Sequence, residues 1–123
     1  MQMATSELQT TVRDRDGTTV VDLRGEIDRS ADEALAQAYG EATRGGSQSV
    51  VLNFERVDYI NSTGIALIVG LLAQARAHAV HVSACGLSEH YREIFEITRL
   101  SDFMTIADDE DRAVNSTDAS KDD

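Results

Sequence analysis

Residues 49–76 read SVVLNFERVDYINSTGIALIVGLLAQAR, and the alternation within this stretch decides the fold. Ser49 to Phe54 carries the consecutive apolar residues Val50, Val51 and Leu52, the composition of a strand buried on both faces. Glu55 to Thr63 is polar and reads as a loop. Gly64 to Arg76 is apolar almost all round, through Ile65, Leu67, Ile68, Val69, Leu71 and Leu72, which predicts a central, buried helix. A doubly buried strand feeding a buried helix is a unit of α/β architecture.

The flanks extend that pattern. Leu8 to Arg13 and Thr18 to Leu23 read as strands, joined through Asp14 to Gly17 with its Asp-Gly turn signal. Gly25-Glu26-Ile27-Asp28 then leaves the sheet. Ser30 opens a helix, with Glu33 three residues on completing a capping box. Ala31, Leu35, Ala38, Tyr39 and Ala42 form its apolar face, and Gly45-Gly46 stops it. Val80 to Ala84 is a further strand. Ser88 caps a third helix carrying Tyr91, Ile94 and Phe95. Met104 to Ala107 is a short last strand, and Asp108 to Val114 a last helical turn or two with its acids at the favourable end.

The order β-β-α-β-α-β-α-β-α predicts an α/β domain with a mostly parallel sheet, right-handed crossover helices and one antiparallel edge from the opening hairpin. One domain spans residues 8–114. Residues 1–7 read as an N-terminal extension and 115–123 as an acidic, disordered tail. Loops after strand C-termini collect on one side, so Gly25 to Ser30, Val57 to Gly64 and Cys85 to Ser88 are expected close together, where α/β folds bind ligands.

Composition narrows the function. The 123 residues carry 22 acidic and 11 basic side chains, a formal net charge of −11. That balance argues against nucleic acid and against an anionic membrane surface, both of which need clustered Lys and Arg. It suits a protein partner with a basic face. Residues 108–123 account for −5 of the charge, leaving −6 on the rest. The single Cys85 allows no internal disulfide and fits a reducing compartment; it reads as a core residue. The N-terminus has no secretory pattern and no apolar run approaches the length of a membrane span, so a cytoplasmic location is expected.

Chemistry-bearing motifs are few. Nucleotide-binding glycine patterns and the hydrolase nucleophile elbow are absent. His78 and His81 share no helical face and make a poor metal pair; His90 stands alone. No metal or cofactor is expected. Glu26 and Asp28 lack an evident catalytic partner and read as a loop leading into the capped helix, so no enzyme activity is expected. The informative segment is Asp58 to Ile65. Either Ser62 or Thr63 is a helix N-cap, or the two hydroxyls are phosphoacceptors whose phosphate the helix dipole would favour.

The sequence resembles STAS domains, the sulphate-transporter and anti-sigma-antagonist fold, and among them bacterial anti-sigma factor antagonists. Leu23-Arg24-Gly25-Glu26-Ile27-Asp28 is similar to the family's L-x-G-E-hydrophobic-D. Val50 to Phe54 resembles its central strand, and Ile60-Asn61-Ser62-Thr63-Gly64-Ile65 its D-S-[ST]-G-[LI] segment. The resemblance implies a protein that binds an ATP-dependent serine/threonine-kinase anti-sigma factor and so frees a sigma factor. Phosphorylation by that kinase dissociates the complex, and a phosphatase resets it. It places the acceptor at Thr63 with Ser62 as neighbour. Glu26, Asp28, Asn61, Ser62, Thr63, Gly64 and Ile65 become the partner-binding surface of a monomer or weak dimer. The family's acid before the hydroxyls is Asn61 here, which removes one negative charge beside the acceptor. The alternative within the fold is a non-switching scaffold or a subunit of a stress-sensing or lipid-transport assembly.

Overall fold

The computed structural model describes residues 7–121, with side chains described as far as Asn115. Strands β1 (Gln9–Arg15) and β2 (Thr18–Ile27) form the expected hairpin. Asp16 and Gly17 both take positive φ, 54° and 87°, the two-residue turn whose twist matches the paired strands. A single 3-10 turn (Arg29–Ala31) leads into α1 (Asp32–Thr43). Then follow β3 (Ser49–Ile60), α2 (Ser62–Ala77), β4 (His81–Cys85), α3 (Glu89–Ile97), β5 (Thr105–Ile106) and α4 (Glu110–Lys121). The five strands lie in sequence order, with β1 antiparallel to β2 and every later neighbour parallel.

That order has a geometric consequence. Helices linking consecutive, adjacent parallel strands with one handedness fall on the same face of the sheet. Here α1, α2 and α3 share one core with that face, through Leu35, Tyr39, Ile68, Leu72 and Phe95 packed on Val21, Leu23, Val50, Leu52, Phe54 and Val82. Phe54 and Phe95 meet edge to face at 5.7 Å between centroids, worth about 1 kcal/mol beyond the area they bury. Among the described residues, the opposite face has only α4. There Ala113 and Val114 cover Val20, Val51 and Cys85. The alternation of Val50 and Val51 between the two cores is the double burial expected of this strand.

Ion pairs tie α4 to the hairpin. Arg15 Nη1 lies 2.7 Å from Glu110 Oε2 and also bonds Asp111, while Arg13 holds both Asp22 and Glu110. The Arg13 and then the Arg15 guanidinium hold the Glu110 carboxyl below the usual carboxylate range. Burial pushes the Cys85 thiol up to about 12, so it is a protonated core group at neutral pH.

Four expectations are corrected. First, β2 does not leave the sheet at Gly25; it pairs with β3 as far as Ile27. Second, the expected loop from Glu55 to Thr63 collapses, because β3 continues to Ile60 and α2 starts at Ser62, leaving Asn61 as the whole connection. A strand that continues beyond its buried half carries polar residues on both faces, so its tail is indistinguishable from a loop by composition. Third, α2 is buried on one side only: Gly64, Ile68, Leu71, Leu72 and Ala75 face the core, and Val69 is 46 % exposed. Fourth, helix α4 runs on to Lys121, where a disordered tail was expected from residue 115. Asp122 and Asp123 of that tail lie outside the described residues, as do residues 1–6 of the N-terminal extension.

Candidate functional site

Parallel pairing places the site. Ile27 and Ile60 are register partners at the ends of β2 and β3, so Asp28 and Asn61 occupy neighbouring exits from the sheet. Asn61 N–H donates to Ile27 O at 3.2 Å, continuing the ladder one step beyond the strands.

The entrance to α2 is built by two residues. Asn61, in extended conformation, is the N-cap: its Oδ1 accepts from Gly64 N–H at 2.8 Å and its carbonyl accepts from Ile65 N–H at 2.9 Å. Gly64 allows the close approach. A Cβ built there would stand 1.9 Å from Ile27 O and 2.7 Å from the Ile27 carbonyl carbon, so no side chain fits while α2 sits against β2. The first turn of α2 is thus clamped to the sheet by backbone contact. Tyr91 of α3 closes the far side, its hydroxyl accepting from Ile60 N–H at 3.0 Å.

With Asn61 as the cap, neither Ser62 nor Thr63 caps the helix, which corrects that expectation. Both are exposed, and their hydroxyls make no hydrogen bond among the described residues. Ile65 is half-buried behind them and packs on the core.

The neighbouring exit is capped differently from the Ser30/Glu33 box expected there. Asp28 is the cap, its Oδ1 accepting from Ser30 N–H at 2.9 Å and from the Ser30 hydroxyl at 2.6 Å. Those two donors, the hydroxyl foremost, hold the Asp28 carboxyl below the usual carboxylate range. Glu26, half-buried on β2 opposite Tyr59, makes no hydrogen bond to the hydroxyl pair.

The third loop expected here is elsewhere. Strand β4 ends where Cys85 pairs with Asn53, well before Ile60, and Gly86 lies against the backbone of Glu55. Tyr91, beyond that loop, reaches the site through its bond from Ile60 N–H. Sequence reading missed both Tyr91 and the Ile27 carbonyl. The signal for Tyr91 was an aromatic with a polar tip at the start of a capped helix, which needs a partner when buried. His78 Nδ1 and His81 Nε2 each face a hydroxyl at 3.4 Å, Tyr39 and Thr105 respectively, away from this edge. No helix among the described residues is long and apolar enough to cross a membrane.

Comparison with known proteins adds a family. The STAS domain profile matches residues 9–113. The anti-sigma-B factor antagonist of Staphylococcus aureus is 30% identical over 86 residues, covering 70% of this chain and 80% of that protein. Among solved structures, an anti-sigma factor antagonist from Mycobacterium paratuberculosis superposes with a TM-score of 0.79 at 23% identity, covering 94% of this chain and 97% of the other. The Bacillus cell fate determinant SpoIIAA in its phosphorylated form superposes with a TM-score of 0.66 at 25% identity, covering 89% and 99%.

Proposed function

Since the chain belongs to the STAS domain family, we propose that it is an anti-sigma factor antagonist whose binding surface is the first turn of α2 with the Asp28 exit beside it. The partner is an anti-sigma factor that is also an ATP-dependent kinase, and binding it frees a sigma factor. A kinase partner would transfer the γ-phosphoryl group of ATP to Thr63 Oγ1; the hydroxyl proton passes to a base of the kinase and ADP leaves. A phosphatase reverses the modification by hydrolysis. The antagonist needs no catalytic group, cofactor or metal of its own, and acts as a monomer or weak dimer.

The observation that carries this reading is the division of labour at the α2 entrance. Asn61 caps the helix at Gly64 N–H, and the exposed Thr63 and Ser62 hydroxyls have no hydrogen-bond partner among the described residues. Phosphate at Thr63 would add about −1.5 to −2 charges at a helix N-terminus, where the dipole favours it and the fold need not change. The neutral Asn61 offers that phosphate no repulsion. The effect falls on the interface: Asp28 and the exposed α2 flank, including Val69, form a surface suited to a partner with basic and apolar groups.

The test is intact-mass analysis after incubation with ATP and partner kinases, using Thr63→Ala and Ser62→Ala as controls, with calorimetry of Thr63→Glu. The expected result is a single added phosphate lost in Thr63→Ala, and weaker partner binding by Thr63→Glu with the domain still folded. Unmodified protein, with Thr63→Glu binding as tightly as the parent, would instead favour a non-switching scaffold.

A further inference from the structure

Because α1, α2 and α3 all lie on one sheet face, the other is left to α4, which covers only part of it. Beside Glu110 the described residues leave a polar groove of about 460 Å³ across β1, β2 and β3. Three arginines, Arg13, Arg24 and Arg56, line it with three acids, Asp22, Glu55 and Glu110, and with Gln9 and Asn53 between them.

Arg24 follows Asp22 onto this face by ordinary alternation, whereas Arg56 is there because β3 is irregular. Asp22 pairs with Asn53, yet Arg24 pairs with Arg56, so Phe54 and Glu55 together oppose Leu23 alone. Phe54 enters the core, while Glu55 and Arg56 both face the groove. In a regular strand Arg56 would alternate to the opposite face; the bulge re-aims it beside Arg24.

Like charges directly opposite each other cost stability. The nearby cations are neutralised: Arg13 by Asp22 and Glu110, Arg15 by Glu110 and Asp111. Arg24 and Arg56 have no hydrogen-bond or ion-pair partner among the described residues. Arg29 and Arg44 are unpaired too, but neither lines the groove. Arg24 and Arg56 are register partners in a chain with twice as many acids as bases, and each free guanidinium is a planar fork suited to an oxyanion. The volume falls in the range of small-molecule sites, about 300–1,000 Å³. Glu55, facing the same groove, suits a ligand that also carries a hydrogen-bond donor.

We infer that this groove binds a small molecule bearing a phosphate or carboxylate group, its oxyanion held across Arg24 and Arg56 and its polar body toward Gln9, Asn53 and Glu55. The site is independent of the α2 entrance and lies on the other sheet face.

The experiment is a nitrogen-15 chemical-shift titration of the full chain at low salt. Inorganic phosphate, glycerol 3-phosphate and succinate are added in separate arms. Saturable shifts at Gln9, Arg24, Asn53 and Arg56 are expected. Arg24→Gln and Arg56→Gln should each weaken binding by about tenfold, the loss of one charged hydrogen-bonding group. Saturation by the phosphates and not by succinate would identify a phosphate ligand, and the reverse a carboxylate. Without ligand, Arg24→Gln should melt at the same temperature as the parent or higher, since it relieves the repulsion. Absence of saturable shifts in all three arms, shifts centred on Ser62 and Thr63, or binding unaffected by the substitutions would overturn the inference. So would a lower melting temperature for ligand-free Arg24→Gln, or binding of an oligoglutamate peptide with none of the three small anions.

Discussion

The two strand exits at the candidate site are built alike but capped differently. Each begins one residue beyond a registered isoleucine, Ile27 or Ile60, and each is capped by a short polar side chain. At the first, Asp28 takes both the amide and the hydroxyl of Ser30. At the second, Asn61 takes the amide of Gly64 and leaves Ser62 and Thr63 untouched. A hydroxyl near a helix start is therefore available only where another residue has already satisfied the helix. Ser30 is occupied by its own cap; Thr63 is not.

The sharpest way to break the second exit is Gly64→Ala. Its Cβ would collide with the Ile27 backbone rather than with a movable side chain. Either α2 shifts off β2 or the domain loses about 3 kcal/mol or more, at the upper end of overpacking costs, read by urea denaturation. A variant as stable as the parent would show that the clamp does not hold α2.

Removing the cap is milder. Asn61→Ala should cost about 1 kcal/mol. Asn61→Asp should match or exceed the parent in stability at neutral pH, because a carboxylate at a helix N-terminus gains from the dipole. Denaturant midpoints of the three proteins, in the order Ala, parent, Asp, are the expected outcome.

Acid separates the exits. The Asp28 carboxyl is held below its ordinary range by Ser30, so its capping contribution is complete above the unfolded carboxylate pKa and is lost as pH falls through the lower folded value. Asn61 does not titrate. Protection of the Ser30 amide from hydrogen exchange should therefore fall in acid, corrected for intrinsic rates, while that of Gly64 holds. In Asn61→Asp the Gly64 amide should acquire the same acid dependence. Equal loss at both amides in the parent would point to global loosening instead.

The smallest effects are expected at the hydroxyls. Ser62→Ala and Thr63→Ala remove hydroxyls that make no hydrogen bond among the described residues, so each should leave stability within about 0.5 kcal/mol. A larger loss for Thr63→Ala would mean that the hydroxyl serves the fold after all.

Much of this was readable from residue types and order. Val50, Val51 and Leu52 announced the doubly buried strand, Asp16-Gly17 the hairpin turn, and Ser88 the cap of α3, whose Oγ accepts from Tyr91 N–H at 3.2 Å. The whole element order followed from these local signals. The errors concentrated at the exits. Ser30 with Glu33 has the form of a capping box, and Ser62 and Thr63 are ordinary caps, but Asp28 and Asn61 stood one or two residues earlier and won. Local propensity ranks these residue types nearly equally. The choice among them fell to the position where each strand stops.

Sequence alone determined the α/β class, the antiparallel edge and the polar segment that opens α2, because each rests on periodicity or on contacts a few residues long. Tertiary structure decided which side chains cap and which stay exposed. It also excluded the Cys85–Ser88 loop from the site by ending β4 at Cys85, opposite Asn53, and brought Arg24 opposite Arg56 through a bulge. Those outcomes depend on strand register, and register is set by pairing between segments some thirty residues apart, where no local pattern reaches.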